Sequence, residues 1–363
     1  MSNPFTNPDS FVLPSMNQVR LVDLPGIKIP LAWQNKTGYQ LLGSSALEEQ
    51  IRRKTAVLHL NPQSPNLIRE LDACFESDDE MVRETAVTIA KEYGRKLAYH
   101  QLVLKRGDAV NRVVRPEWQD VHWAYWAQIE QVWLGGGLMA GNLGEIAAAE
   151  AQAFIWQHGF PDYSVTVSPF AANLPLIGAA RTASADAQSM LLFDFGQTSI
   201  KRGIAHYKAG ALVKLEALPS LPSECPYLWF SRDESFAAQT RDRILRVVKE
   251  TWQEATISGH ILSNRVAVIL ACYLLHGQPR HEDWGCYGRL QQFSPHLQTY
   301  LAEQVSEQLG QPIQIELLHD GQAASLPYAG IPYQAVMTFG TALGIGFPLA
   351  SDTHLFSITA QFT

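Results

Sequence analysis

The sequence predicts an α/β protein made of two lobes. Apolar runs of strand length alternate with amphipathic helical stretches along the chain. Two segments, 191–203 and 335–347, each place a glycine turn between two apolar runs. The 363 residues suffice for two domains that each have a core. We therefore expect two α/β lobes around a cleft, each with a mixed sheet that opens in three antiparallel strands.

The composition indicates a folded globular protein and argues against nucleic acids and membranes as partners. The chain is 46% hydrophobic and 17% charged, which is typical of a folded globular protein. Its 28 basic and 35 acidic residues give a net charge of −7, which argues against a nucleic-acid-binding surface. No apolar run reaches the ~18 residues that cross a membrane, and the N-terminus lacks the basic and apolar regions of a signal peptide. These features predict a cytoplasmic protein with neither nucleic acid nor membrane as partner.

The four cysteines are far apart, and none belongs to a CxxC pair. Isolated cysteines of this kind are most often buried thiols. We expect reduced side chains at Cys74, Cys225, Cys272 and Cys286.

Local patterns predict the individual elements. Residues 1–45 are rich in Pro, Asn and Gly and predict irregular chain or short strands. After Asp79, apolar residues recur at helical spacing, with acids first and bases later, as the helix dipole favours. The remaining elements, in order, are a strand at 132–134, a helix at 145–157, a strand at 163–168, a small-residue helix at 174–187, three strands within 190–218, a helix at 235–254, a strand at 265–275, a helix at 297–309, a strand at 313–318, a helix from Asp320 and a strand–turn–strand at 335–347.

An acid, a glycine and a hydroxyl group fall in the turn of the segment LLFDFGQTSIKRG. The carboxylate of Asp194 follows a buried strand and costs desolvation energy unless it meets a cation or donors. Gly196 can bring backbone N–H groups close to a phosphate, while Thr198 adds a hydroxyl and Lys201 a positive charge. The segment fits a phosphate site with a magnesium ion held through water by Asp194, and it also fits a plain β-hairpin with a polar turn.

Two later segments carry similar ambiguity. FGTALGIGF places Gly340, Thr341 and Gly344 between strands, which suits a second phosphate turn or a packed glycine turn. Asp320 ends an apolar strand and begins a helix, so it is either a helix cap or a general base. A third group of glycines ends the strand at 132–134 and would let a flat ring lie close to the backbone. These are Gly135, Gly136 and Gly137.

Together these segments resemble the ROK family of bacterial sugar kinases and repressors, within the superfamily of sugar kinases, actin and heat-shock ATPases. The D-x-G-G-T-x-x-K-x-G turn that opens the family is similar to DFGQTSIKRG, and its catalytic E-N-D-A-N-A-A is similar to LHDGQAA. Its second phosphate turn, L-G-T-G-I-G-G-G, is similar to FGTALGIG. Its late G-G-G strand and last helix are similar to VWLGGG and LIGAARTA. The resemblance covers residues 80–363, and residues 1–79 match poorly.

The order of these motifs differs from that of the family. The G-G-G strand and the GAA helix come last in the family, but here they precede the opening motif at Asp194. The resemblance therefore implies a circularly permuted, two-lobed actin-like ATPase (ribonuclease H-like) fold. Residues 1–185 and 331–363 would form the nucleotide-binding lobe, and 186–330 the lobe with the first phosphate turn and the acceptor. The strand ending at Leu134 should belong to the same lobe as AVMTFG.

The resemblance also implies ATP and Mg²⁺ as cofactors and gives each matched residue a role. Asp194 would organise the metal through water, and Asp320 would deprotonate the acceptor hydroxyl across the same cleft. The implied phosphate contacts are Gly196, Thr198, Lys201, Gly340, Thr341 and Gly344, and the implied adenosine contacts are Gly135, Gly136 and Gly137.

Several positions depart from the family pattern. Leu318 and His319 replace its sugar-binding Glu and the following Asn, His296 replaces a sugar-binding Asn, and Gln197 replaces a glycine. The cysteine-rich zinc motif has no counterpart, so no structural zinc is expected. We expect an ATP-dependent phosphotransferase whose acceptor is a sugar or related hydroxyl compound other than glucose, with His296 and His319 as its ligands. A non-catalytic relative acting as a sensor or assembly protein stays open, as does a homodimer.

Overall fold

The chain is an α/β protein that divides into two compact units. A computed structural model describes residues 3–6, 12–225, 235–275, 277–279 and 286–359. Unit 1 comprises Met1–Ala172 and Pro332–Phe347, and unit 2 comprises Asn173–Ile331 and Pro348–Thr363. The sequence placed 173–185 and 348–363 in the other lobe. They belong to unit 2 because the Arg181 side chain bonds the carbonyl oxygens of Leu326 and Phe356.

The described elements are twelve helices and twelve strands, with short 3₁₀ turns between them. The helices are α1 Gly38–Leu42, α2 Ser44–Arg52, α3 Thr55–Leu58, α4 Leu67–Cys74, α5 Glu80–Arg106, α6 Ala109–Arg112, α7 Asp120–Gln128, α8 Asn142–Gln157, α9 Leu174–Ala180, α10 Ser235–Ile257, α11 Leu297–Leu309 and α12 Asp320–Ser325. The strands are β1 Gln131–Gly135, β2 Ser164–Val167, β3 Ser189–Phe195, β4 Ser199–Lys208, β5 Ala211–Pro222, β6 Leu262–Leu270, β7 Leu274–Leu275, β8 Gln278–Pro279, β9 Gln314–His319, β10 Gln334–Phe339, β11 Leu343–Gly346 and β12 Ser357–Ile358.

Unit 1 is built on a four-stranded mixed sheet in the order β11-β10-β1-β2. The strand ending at Leu134 pairs in parallel with the strand of AVMTFG, with Leu134 opposite Met337, so both strands belong to one unit, as the sequence predicts. The expected run of three antiparallel strands is wrong for this unit, because β10 and β11 alone are antiparallel and β1 and β2 continue the sheet in parallel.

The helix α5 forms the centre of unit 1. The Asp79 carboxylate caps it by accepting hydrogen bonds from the N–H groups of Met81 and Val82. Gly107 ends it in the left-handed conformation, at φ 55°. The region before α5 contains α1 to α4 and 3₁₀ turns, so the short strands expected within 1–45 are absent from its described part.

Unit 2 is built on a six-stranded mixed sheet in the order β12-β5-β4-β3-β6-β9. Strands β3, β4 and β5 form the predicted antiparallel run, and β3, β6 and β9 are parallel neighbours. Leu191, Phe193 and Phe195 pack with α10 and α11 residues in one core cluster. Because side chains alternate along a strand, Asp194 points to the opposite face, which α9 covers.

The helices α9 and α12 lie against each other on that face. Their approach depends on Gly178, because a Cβ atom there would overlap the carbonyl oxygen of Ala323. The small-residue helix α9 ends at Ala180 and is shorter than predicted. Its Gly178 allows the close packing of α12, and Asp320 is the first residue of α12.

We expect Gly178→Ala to lower the free energy of unfolding by about 3 kcal/mol, because the methyl group forces α9 and α12 apart. Denaturant unfolding measures the loss. The control is Gly137→Ala, whose added methyl group meets no atom within 4 Å and should leave the midpoint unchanged. Equal midpoints for the two variants would contradict this account of the contact.

Candidate functional site

The turn between β3 and β4 is a tight β-hairpin with Asp194 on its entering strand. Asp194 lies opposite Lys201 on β4, so the two side chains share one face of the sheet. The N–H of Gly196 donates to the carbonyl oxygens of Asp194 and Ser199, both at 3.1 Å. This N–H group therefore closes the turn itself, and the phosphate contact of Gly196 stays a prediction.

The next two N–H groups of this turn have a different environment. Within the described residues, the N–H groups of Gln197 and Thr198 make no hydrogen bond. The turn between β10 and β11 repeats the pattern: the Gly340 N–H donates to Ala342 O at 3.3 Å, and the N–H groups of Thr341 and Ala342 have no partner in the described chain. Successive N–H groups of this kind form concave sites that bind anions.

The Asp194 carboxyl group is half-buried, and its side chain accepts no hydrogen bond from the described residues. Burial raises the pKa of Asp194 to about 6; the positive charge of Lys201 opposes this rise, and the negative charge of Asp320 adds to it. Above that pH, the group is an ionised carboxylate with free oxygen lone pairs, which is the kind of ligand that hard cations prefer.

Asp320 is held by its neighbours through one carboxylate oxygen. Its Oδ1 lies 2.6 Å from His319 Nε2 and accepts the Gly321 N–H at 2.6 Å. Its Oδ2 accepts no hydrogen bond from the described residues. Burial works to raise the pKa of Asp320, but His319 and the Gly321 N–H outweigh this effect and lower the pKa.

The sequence left Asp320 as either a helix cap or a general base, and the structure bears on the first alternative. The N-cap of α12 is His319, whose Nδ1 accepts the Gln322 N–H at 3.4 Å, and Asp320 is the first helical residue. The cap role therefore belongs to His319, and Asp320 Oδ1 accepts the Gly321 N–H of the same first turn.

Asp194 and Asp320 lie at the same edge of the unit 2 sheet. The register places Phe195 opposite Leu270 and Leu270 opposite His319, so two strand spacings, about 10 Å, separate the ends of β3 and β9. Ligands of open α/β sheets bind outside the carboxyl ends of the parallel strands, and both acids lie there. Both acids therefore lie at one edge of the unit 2 sheet, and their roles in one site stay predictions.

A second layer of contacts holds the first turn. The Tyr287 hydroxyl donates to Gly196 O at 2.9 Å and lies 3.1 Å from Ser223 Oγ, and the Ser223 N–H donates to Thr198 O. Burial raises the pKa of Tyr287, so its hydroxyl remains protonated and able to donate. The Gln197 amide donates to Ala271 O at 3.3 Å, which ties the turn to the end of β6.

A disulfide joins Cys225 and Cys286 beside this turn, so the expectation of reduced thiols is wrong for these two residues. Their Cα atoms lie 6.1 Å apart although 61 residues separate them in the sequence, which is why spacing alone could not reveal the pair. Cys74 and Cys272 are buried thiols, as expected. A lasting disulfide is unusual in a reducing compartment, so the cytoplasmic location stays a prediction.

The glycines of unit 1 have separate roles. Gly136 adopts φ 92°, and a Cβ atom there would meet the Phe339 backbone, so the fold itself requires this glycine. Gly135 and Gly344 flank Thr338 on β10 from its two sides. Gly137 is exposed with open space around it. Their adenosine and phosphate roles stay predictions.

The predicted acceptor ligands are not equivalent. His319 is buried and stacks on Tyr273, with 4.3 Å between ring centroids. His296 is exposed at the start of α11, and no contact that the structure describes joins its side chain to His319 or Asp320. Leu318, which replaces the family glutamate, is 4% exposed.

Comparisons with known proteins do not assign this site. Neither models of known protein families nor curated proteins match the chain. In the described part of the chain, no group of three or more His, Cys, Asp or Glu side chains is arranged to hold a metal ion. No helix among the described residues is long and apolar enough to cross a membrane. Any function must therefore be argued from the residues themselves.

The raised pKa of Asp194 predicts a pH dependence of stability. The folded chain holds this proton more tightly than the unfolded chain, whose pKa is near 3.8, so stability is lost as pH rises from about 4 through 6. Asp194→Asn removes this loss, so the variant should become more stable than the wild type above pH 6. Urea unfolding between about pH 4 and 8 measures it. The exposed Asp186→Asn should keep the wild-type slope, and an unchanged slope in Asp194→Asn would refute the burial effect.

The disulfide predicts sensitivity to reductant. Reduction removes a constraint on a loop of 61 residues, so dithiothreitol should lower the free energy of unfolding of the wild type by about 4 kcal/mol. The double variant Cys225→Ser, Cys286→Ser should show the lower value with or without reductant. If the wild type gave the same unfolding curve with and without dithiothreitol, the disulfide bond would be excluded.

Proposed function

We propose that the chain is an ATP-dependent phosphotransferase that acts on a hydroxyl group of a sugar or related small molecule, built on a permuted actin-like ATPase fold. One observation carries the proposal: Asp194, a turn with two N–H groups that have no partner among the described residues, and Asp320 all lie at the carboxyl ends of the parallel strands of the unit 2 sheet. The motifs that resemble the ROK family supply these same residues in the same roles. Phosphoryl transfer requires mainly positioning and charge neutralisation, which such a set provides.

Each residue then has a defined task. Asp320 accepts the proton of the acceptor hydroxyl at Oδ2, because Oδ1 is occupied by His319 and Gly321. The N–H groups of Gln197 and Thr198 bind phosphate oxygens, and the matching pair in the turn of Thr341 has the same task. Lys201 contributes positive charge on the face of Asp194.

The residues at this edge of the sheet fit a magnesium ion that is bound through water molecules. A single carboxylate, Asp194, points to the sheet edge without a hydrogen-bond partner in the described chain, and Mg²⁺ commonly keeps several waters and takes one or two carboxylates. Asp320 follows β9, two strands away from β3, and has the separate task of the base. When bound, the ion would neutralise charge on the transferred phosphoryl group.

A second candidate function is a non-catalytic relative that senses or assembles. The observation in its favour is the acceptor side, where Leu318 is buried and both ring nitrogens of His319 are already engaged. These residues leave no carboxylate of the family type to bind sugar hydroxyls. This candidate shares the fold and differs in its lack of turnover.

The test separates nucleotide binding from transfer. Asp320→Asn should reduce ATP-dependent transfer to an acceptor by about 1,000-fold while the thermal shift caused by Mg-ATP persists, because the base acts on the acceptor. Asp194→Asn should diminish both the thermal shift and the transfer. Asp186→Asn, an exposed change in the same unit, is the matched control and should leave both unchanged.

Two outcomes decide between the candidates. A Mg-ATP shift with no transfer to any hexose, amino sugar or polyol in a panel would favour the non-catalytic relative. If Mg-ATP caused no thermal shift of the wild type and no transfer were detected, the proposed phosphotransferase function would be rejected, because the edge of the unit 2 sheet would then bind no nucleotide.

A further inference from the structure

The two ring nitrogens of His319 face different partners. Nδ1 accepts the Gln322 N–H at the start of α12, so it must carry a lone pair. Nε2, 2.6 Å from Asp320 Oδ1, is therefore the protonated nitrogen of a neutral ring, and it donates to the carboxylate. The helix cap thereby fixes the tautomer, because protonating Nδ1 would set two donors against each other.

We propose that His319 is a positioning residue, which directs Oδ2 of Asp320 toward the acceptor hydroxyl, and that it is not a ligand of the acceptor. The inference rests on the proposed function for the identity of the acceptor, but the geometry of the pair stands on its own contacts. His319 donates to Oδ1 from the side of β9, and Gly321 holds the same oxygen from α12. With Oδ1 fixed twice, the carboxylate has one oxygen left for a ligand.

The rest of the environment keeps the pair in place. His319 is 7% exposed and stacks on Tyr273, with 25° between the ring planes. Among the described residues, the charge of Asp194 on β3 acts on Asp320, and Lys201 on β4 is the cross-strand neighbour of Asp194. Because Asp194 is negative above pH 6, the donor at His319 offsets its repulsion of a second carboxylate.

Two substitutions of His319 separate its contacts. His319→Asn keeps a residue that caps helices well but is too short to reach Asp320 Oδ1. His319→Gln keeps an N–H donor at about the position of Nε2 and is a poorer cap. If His319 positions Asp320, then Asn at this position should lower kcat by about 100-fold with the KM for acceptor and ATP unchanged, and Gln should restore most of kcat.

The pH profile provides a second signature. In His319→Asn, the acidic limb of the kcat/KM profile should move to higher pH, because Asp320 loses its donor while Asp194 remains. A rise in acceptor KM with kcat unchanged would overturn the proposal, since it would make His319 an acceptor ligand. A kcat that His319→Gln does not restore would also overturn it.

An NMR titration removes the dependence on activity. The ¹³C carboxyl signal of Asp320 should titrate at higher pH in His319→Asn than in the wild type, and return toward the wild-type position in His319→Gln. An unmoved signal in His319→Asn would refute the positioning role even in an active enzyme. A moved signal in a protein without transfer activity would support the positioning and reject the phosphotransferase instead.

Discussion

The parallel register of β3, β6 and β9 is the constraint on which the candidate site depends. It sets Asp194 level with Ile269 and Leu318, so the acid on β3 and the acid after β9 emerge at one edge and on one face. Because side chains alternate along a strand, a slip of one residue in β3 would turn Asp194 into the core beneath α10 and expose Phe195. The apolar residues Leu191, Phe193 and Phe195 therefore protect the orientation of the carboxylate between them.

The two carboxyl groups at this edge have opposite environments. Burial without a hydrogen-bond donor raises the pKa of Asp194, whereas His319 and the Gly321 N–H lower the pKa of Asp320 despite burial. Two acids whose pKa values are driven apart can take different tasks at one pH. Neighbouring residues produce this difference in pKa. His319 and Gly321 are adjacent to Asp320 in the sequence, and Lys201 is the cross-strand partner of Asp194.

The sequence predicted the strands and the acids better than it predicted the contacts between them. Apolar runs that end in a turn located β3, β9 and β10, and the motifs correctly placed the strand of Leu134 in the same unit as that of Met337. The sequence pattern could not reveal that the Gly196 N–H closes its own turn, because residue type alone does not determine where a backbone N–H group points. The Cys225–Cys286 bond and the cap at His319 were missed because both depend on tertiary position. A histidine directly before the acid was the available signal for the cap.

The pairing of β1 with β10 has a consequence for how the chain is made. About 200 residues separate the two strands, and those residues include nearly all of unit 2. At ribosomal rates of 5–20 residues per second, β10 is synthesised roughly 10–40 s after β1. During that time one edge of β1 carries unpaired N–H and C=O groups, a template for pairing with another chain. The sheet of unit 2 lacks only β12 by then, so the inserted unit is mostly folded before the unit that surrounds it in the sequence can close.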